Sequence, residues 1–327
     1  MTSKEIVIRA IERTGPPRVP IYYCNRDFEH SDVRVTGYAQ GRRFVPAQPG
    51  MTEWGYVWRS LDSTMGQPHV WPLADWANIE GYAPPDPLAP GRLDHLPAWA
   101  EEHADKFLVF GVGITGFNCA TFLRGFDTFL MDLTLHPQRA ERVLDMVFGF
   151  ENGIIDQLDT YDLDAVKLAD DWGTQEALII QPDLWREVFR PRYADQFARV
   201  RRAGKKVWLH TCGEVYDIIP DLIEIGVDIL ELLQPDLFGV ERLARDFGGE
   251  VCFCCSIDHQ RRAISGTRDE MRAYARLLNE QLGAFNGGFI AYIEDYASLG
   301  MSEQTYQWIR EAFHGLNEGL PRQEVQL

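Results

Sequence analysis

The chain has 327 residues, 45% of them hydrophobic and 25% charged, which is enough for one large core. A formal net charge of −17 repels nucleic acid and anionic lipid, so neither is expected as a partner. There is no 18-residue apolar run, and Met1-Thr2-Ser3-Lys4-Glu5 opens an amphipathic helix rather than a secretion signal, so a soluble cytoplasmic protein is expected.

Taken in order, the pattern predicts a helix over 6–12 that ends at Thr14-Gly15-Pro16-Pro17, then a first strand over 18–23. Residues 24–91 are irregular and rich in Trp, Pro and Gly, with a strand or hairpin around 53–58. They read as a structured N-terminal insertion whose Trp54, Trp58, Trp71 and Trp76 serve packing. From Arg92 the rhythm is regular. Strands are predicted at 107–113, 165–171, 206–212, 229–233, 250–255 and 288–293. Helices are predicted at 97–105, through Met131, and at 137–159, 182–203, 216–225, 240–247, 267–283 and 302–315.

Short strands alternating with helices over more than 200 residues argue for parallel βα units. Seven strands can be counted, with an eighth expected in the irregular N-terminal part. A single TIM-type (β/α)8 barrel over 1–327 fits best, with a doubly wound open sheet as the alternative. Against the open sheet, no strand leads into Gly-x-Gly-x-x-Gly; Gly111-Val112-Gly113-Ile114-Thr115-Gly116 misses that spacing. The six cysteines, three of them within 252–255, make no disulfide framework, and reduced thiols are expected.

The most informative run is Lys206-Val207-Trp208-Leu209-His210-Thr211-Cys212-Gly213. Side chains at i and i+2 share a strand face, so His210 and Cys212 point the same way at the strand's carboxyl end, where imidazole and thiolate suit zinc. The plainer alternative is a core histidine beside an inert thiol. Barrel chemistry gathers at strand carboxyl ends. The other ends carry Asp170 and Asp171, Gln234, Cys254 or Cys255 with Asp258 and His259, and Glu294 with Asp295. Asp170 and Asp171 are the expected catalytic carboxylates, and Gln234 and Asp258 the expected cofactor- or substrate-binding groups.

The runs Lys167-Leu168-Ala169-Asp170-Asp171-Trp172-Gly173-Thr174-Gln175 and Gly204 to Gly213 resemble the uroporphyrinogen decarboxylase-like superfamily, as do the stretch 218–228, Gln234-Pro235 and Ile257-Asp258. The resemblance covers most of the chain after residue 50. It implies a TIM barrel and either a decarboxylase or a methyltransferase working with corrinoid proteins, thiols or folates.

In the decarboxylases an Arg-Gln-Ala-Gly-Arg type segment after the first strand holds the tetrapyrrole carboxylates. Here Tyr22-Tyr23-Cys24-Asn25-Arg26-Asp27-Phe28-Glu29 offers one arginine among acids, a poor host for a polyanion. The zinc-dependent methyltransferases use His-x-Cys and a later cysteine after the last strand. His210 and Cys212 match the first two; the third position holds Asp295 beside Glu294, with Cys255 as another candidate. The resemblance therefore implies a zinc-dependent methyltransferase acting on a small-molecule substrate, with decarboxylase or lyase chemistry on a small acid as the alternative. Any corrinoid would arrive on a separate protein, and a homodimer stays open.

Overall fold

A computed structural model describes residues 1–60 and 66–318. In chain order the strands are β1 (Ile21–Tyr23), β2 (Val33–Gly37), β3 (Val57–Arg59), β4 (Gln67–Val70), β5 (Phe107–Ile114), β6 (Ala165–Ala169), β7 (Lys206–His210), β8 (Ile229–Leu232), β9 (Cys252–Cys255) and β10 (Phe289–Ile293). Eight of them form one parallel sheet in the order β1-β10-β9-β8-β7-β6-β5-β2. The sheet curls until its two edges meet. Across that seam the Asp32 amide donates to the Ile21 carbonyl (2.8 Å), the Asp32 carboxylate accepts from the Ile21 amide (2.9 Å), and the Ser31 hydroxyl accepts from the Tyr23 amide (3.0 Å). The architecture is a TIM-type (β/α)8 barrel.

The eighth strand is β2, inside the stretch whose sequence looks irregular. Its Val-Arg-Val-Thr-Gly run is short, and only its first residue is buried, so the hydrophobic pattern is faint. Pairing residue for residue with Val33–Gly37 against 107–111 is what makes it a strand. The expected hairpin is β3 with β4, antiparallel; residues 61–65 within it lie outside the described residues. Trp54 packs edge-on against Phe150, Trp58 against Phe122, and Trp76 lies under Arg124 and Arg139, so these three serve packing.

The opening helix, Ser3–Glu12, begins with a reciprocal cap between Thr2 and Glu5. It packs against β2, β5, β9 and β10 and is tied in by Lys4 N–H to Asp105 and by Gly288 N–H to Ala10, closing the amino-terminal end of the barrel. The helix predicted over 182–203 is two helices, Pro182–Val188 and Arg190–Arg202. Pro191 has no N–H to continue the ladder, and its ring crowds the preceding turn, so the chain breaks at Phe189. Among the described residues no helix is long and apolar enough to cross a membrane.

One parity decides what the barrel encloses. Lys167 on β6 pairs in register with Trp208 on β7, and His210 pairs with Glu231 on β8. Lys167 Nζ lies 5.4–5.9 Å from the ring centroids of Tyr22, Trp208 and Tyr292, inside the barrel. The residues that share Lys167's side of its strand, Ala169 and then Asp171, therefore face the barrel mouth, whereas Val166, Leu168 and Asp170 face the surrounding helices.

Candidate metal centre

Asp171, His210 and Cys212 come together at the mouth, each offering one donor atom within 4.8 Å of the others. His210 Nε2 is 3.5 Å from Cys212 Sγ and 3.5 Å from Asp171 Oδ1. Zinc bonds of about 2.0–2.3 Å at tetrahedral angles separate neighbouring donors by roughly 3.3–3.7 Å. The spacing and the nitrogen, sulfur and oxygen donor set both fit such an ion.

The loops hold these donors in place. Asp171 Oδ1 accepts from the Cys212 amide (2.9 Å), and the Asp171 amide donates to the Asn118 side chain. Gly173 and Gly213 pass so closely that a Cβ on Gly213, whose φ is +78°, would sit 2.0 Å from the Gly173 carbonyl oxygen. Gln234 accepts from the Gly213 amide (3.2 Å) and donates to Gln175 (3.1 Å).

Beneath the donors lies Glu231, with only 1% of its side chain exposed. Its carboxylate accepts from Lys167 Nζ (2.8 and 2.7 Å), Trp208 Nε1 (2.7 Å) and His210 Nδ1 (2.8 Å). A carboxylate only accepts here, so Nδ1 carries a proton toward Glu231 and Nε2 is the nitrogen that faces the mouth, free to ligate once its own proton is lost. Burial alone would raise the Glu231 pKa, but Lys167 and His210 pull it down to about 2. Burial works against a charged His210, yet Cys212 and Glu231 outweigh it and hold its pKa well above the usual value. Burial pushes the Cys212 thiol up, with His210 opposing. A metal must therefore displace protons to bind.

The other expected site residues fall elsewhere. Asp170 is fully buried and faces outward, accepting from the Phe117 and Asn118 amides (2.8 Å each) and from the Tyr193 hydroxyl. It tethers the start of the helix Gly116–Arg124, a structural task. Asp170→Ala, which orphans two buried amides and a hydroxyl, is expected to lose about 3 kcal/mol or more in urea unfolding. Asp171→Ala, whose side chain is 46% exposed, is expected to cost under about 1 kcal/mol. Equal losses would contradict this division.

Asp258 caps its own turn, accepting from the Gln260 and Arg261 amides. Glu294 accepts from the Tyr292 hydroxyl, and Asp295 is bound to Arg26 (2.8 Å). Neither joins the three-donor cluster, and Cys255 is buried in β9; the third donor is Asp171, from the other side of His210. All six cysteines are free thiols. The sequence reading missed Lys167 and Glu231. Their signal was a lone charge inside an apolar strand, Ala-Val-Lys-Leu-Ala and Ile-Leu-Glu-Leu, which burial tolerates only when the charge is partnered.

A parallel barrel with a polar, metal-competent mouth defines a class of enzyme scaffolds rather than one activity. The family follows from the sequence: residues 61–311 match the model for uroporphyrinogen decarboxylase (URO-D), and the chain belongs to that family. Among solved structures, a methyltransferase from Methanosarcina mazei superposes with a TM-score of 0.72 at 14% identity, covering 97% of this chain and 99% of its own. The 3-keto-D-glucoside 4-epimerase YcjR from E. coli is more remote, with a TM-score of 0.44 at 16% identity, covering 69% of this chain and 85% of its own. A search of curated proteins finds no match.

Proposed function

We propose that the chain is a zinc-dependent methyltransferase that moves a methyl group between a carrier, such as a corrinoid on a separate protein, and a thiol. The observation that carries the reading is the Asp171, His210 and Cys212 cluster with His210 Nε2 aimed into it by Glu231. Asp171, His210 and Cys212 would hold the ion. When bound, zinc supplies the Lewis acidity that makes a thiol acidic near neutral pH. Glu231 fixes the imidazole tautomer, and Lys167 and Trp208 fix Glu231. The buried thiol of Cys212 gives up its proton on ligation, and Asp171 offers its carboxylate oxygen from the half-exposed rim. A methyltransferase among the structural neighbours is consistent with this reading.

Tetrapyrrole decarboxylation suits the mouth less well. Arg26, the arginine nearest the end of β1, is already bound to Asp295 and Glu303 and lies 4.2 Å over the Tyr306 ring. Lys167 is committed to Glu231. A polyanion would have to compete with these carboxylates for both cations.

The deciding assay offers methylcobalamin with a panel of thiols, and uroporphyrinogen III in parallel, to zinc-loaded protein. Thiol-dependent demethylation that vanishes in His210→Ala and Cys212→Ala is the expected result. Carbon dioxide release with no turnover of any thiol would overturn it in favour of a decarboxylase.

A further inference from the structure

The metal centre leaves one histidine at the mouth without a task. His259 follows β9 and is only 5% exposed. Its amide (3.3 Å) and its ring Nδ1 (2.8 Å) both turn to the Leu233 carbonyl, which the Ser256 hydroxyl also reaches (3.0 Å). Leu233 stands between Glu231, which orients His210, and Gln234, which holds the Gly213 loop. His259 is thereby pinned beside the donor cluster.

A carbonyl can only accept, so Nδ1 carries the proton and Nε2 is a bare acceptor. Among the described residues Nε2 makes no hydrogen bond. The Tyr296 ring stacks on the imidazole with centroids 4.8 Å apart and planes 26° apart. The Tyr296 hydroxyl is buried and has no hydrogen-bond partner. The Glu294 carboxylate lies close by and competes for that hydroxyl as an acceptor. An unpartnered ring nitrogen and a buried, unpartnered hydroxyl thus belong to two stacked rings, and a ligand that accepts from the hydroxyl would offset the cost of burying it.

Both rings lie in the field of the metal centre: His259 in that of Asp171 and His210, Tyr296 in that of Cys212. The charged groups around His259 are Asp258 and Asp171, which favour an imidazolium, and His210, which opposes it. Burial is the largest influence and keeps the ring neutral, a free base, at neutral pH.

We propose that His259 Nε2 is the base that takes the proton of the acceptor thiol, with the Tyr296 hydroxyl donating to the same sulfur. The inference rests on the thiol-methylating reading above. The S–H bond breaks and an N–H bond forms at Nε2. The electron pair stays on sulfur, which uses it to bond the incoming methyl group. The carrier keeps the pair of the bond that is broken, and the proton later leaves Nε2 for solvent.

The test counts protons and needs no turnover. Zinc-loaded full chain is titrated with 2-mercaptoethanol at pH 7 by calorimetry, in two buffers of different ionisation enthalpy. Wild type is expected to release fewer protons per thiol bound than the variants, because the anionic sulfur beside Nε2 raises the basicity of His259 and holds the proton there. His259→Asn retains an N–H for the Leu233 carbonyl but has no basic nitrogen, and should release about one proton per thiol. His259→Gln serves the same purpose should the asparagine variant fold poorly. Equal proton release in wild type and both variants would overturn the role of His259 while leaving the thiol reading standing. Zinc binding with no thiol binding in wild type would overturn both.

Discussion

Purified without chelator, the full chain is expected to carry one zinc per molecule, and His210→Ala and Cys212→Ala almost none. Each variant removes one of three donors from a site that keeps a position open for substrate, and two remaining protein donors hold zinc poorly. Asp171→Ala should bind zinc more weakly, whereas Asp295→Ala should keep full occupancy, because Asp295 is committed to Arg26. The affinity should also climb with pH. His210 is held protonated above its usual range and the Cys212 thiol is raised, so metal entry displaces protons from both. Each displaced proton makes the apparent affinity rise about tenfold per pH unit until that group has titrated. Elemental analysis, with zinc titration against a competing chelator at several pH values, measures all of this. Near-zero zinc in wild type, or full occupancy in Cys212→Ala, would remove the centre.

The largest stability effect is expected at Glu231. Glu231→Gln leaves the Lys167 ammonium inside the barrel without a counter-charge, and breaking a buried pair from one side costs about 3–5 kcal/mol. Adding Lys167→Met removes the stranded charge and should recover more than half of that loss. The acid response carries the same signature. The folded-state pKa of Glu231 is about 2, below the usual 4.5. Its contribution is therefore complete above pH 4.5 and fades as pH falls toward 2, because protonation is then favoured in the unfolded chain first. Urea unfolding between pH 7 and pH 3 should show a steeper acid loss in wild type than in Glu231→Gln. A Glu231→Gln protein as stable as wild type at pH 7 would contradict the network.

Much of this molecule could be read along the chain. Alternation of apolar runs with amphipathic helices predicted seven of the eight barrel strands, because each run is buried by its own helices. The strand end at His210 and Cys212 was legible for the same reason: period two along a strand fixes which residues share a face. Strand β2 was not, because it is short, largely uncovered, and held by its partner rather than by its own pattern. The break at Phe189 was present in the sequence as Pro191 but was overridden by the apolar periodicity on either side.

The Asp170-Asp171 pair marks the boundary between the two kinds of information. By itself the sequence determined that a carboxylate would stand at that strand's end, and both Asp170 and Asp171 were expected to serve the mouth, whereas the structure turns Asp170 outward. Which of the two points inward became clear only from Lys167, on the same side of the strand as Asp171, meeting Glu231 inside the barrel. Only the tertiary structure decided what lies across the strand. Register set Glu231 beside His210, and the close passage of Gly173 over Gly213 brought Asp171 to the cluster while Arg26 drew Asp295 away. Those choices depend on pairings between residues as far apart as 26 and 295, and local propensity does not encode such contacts.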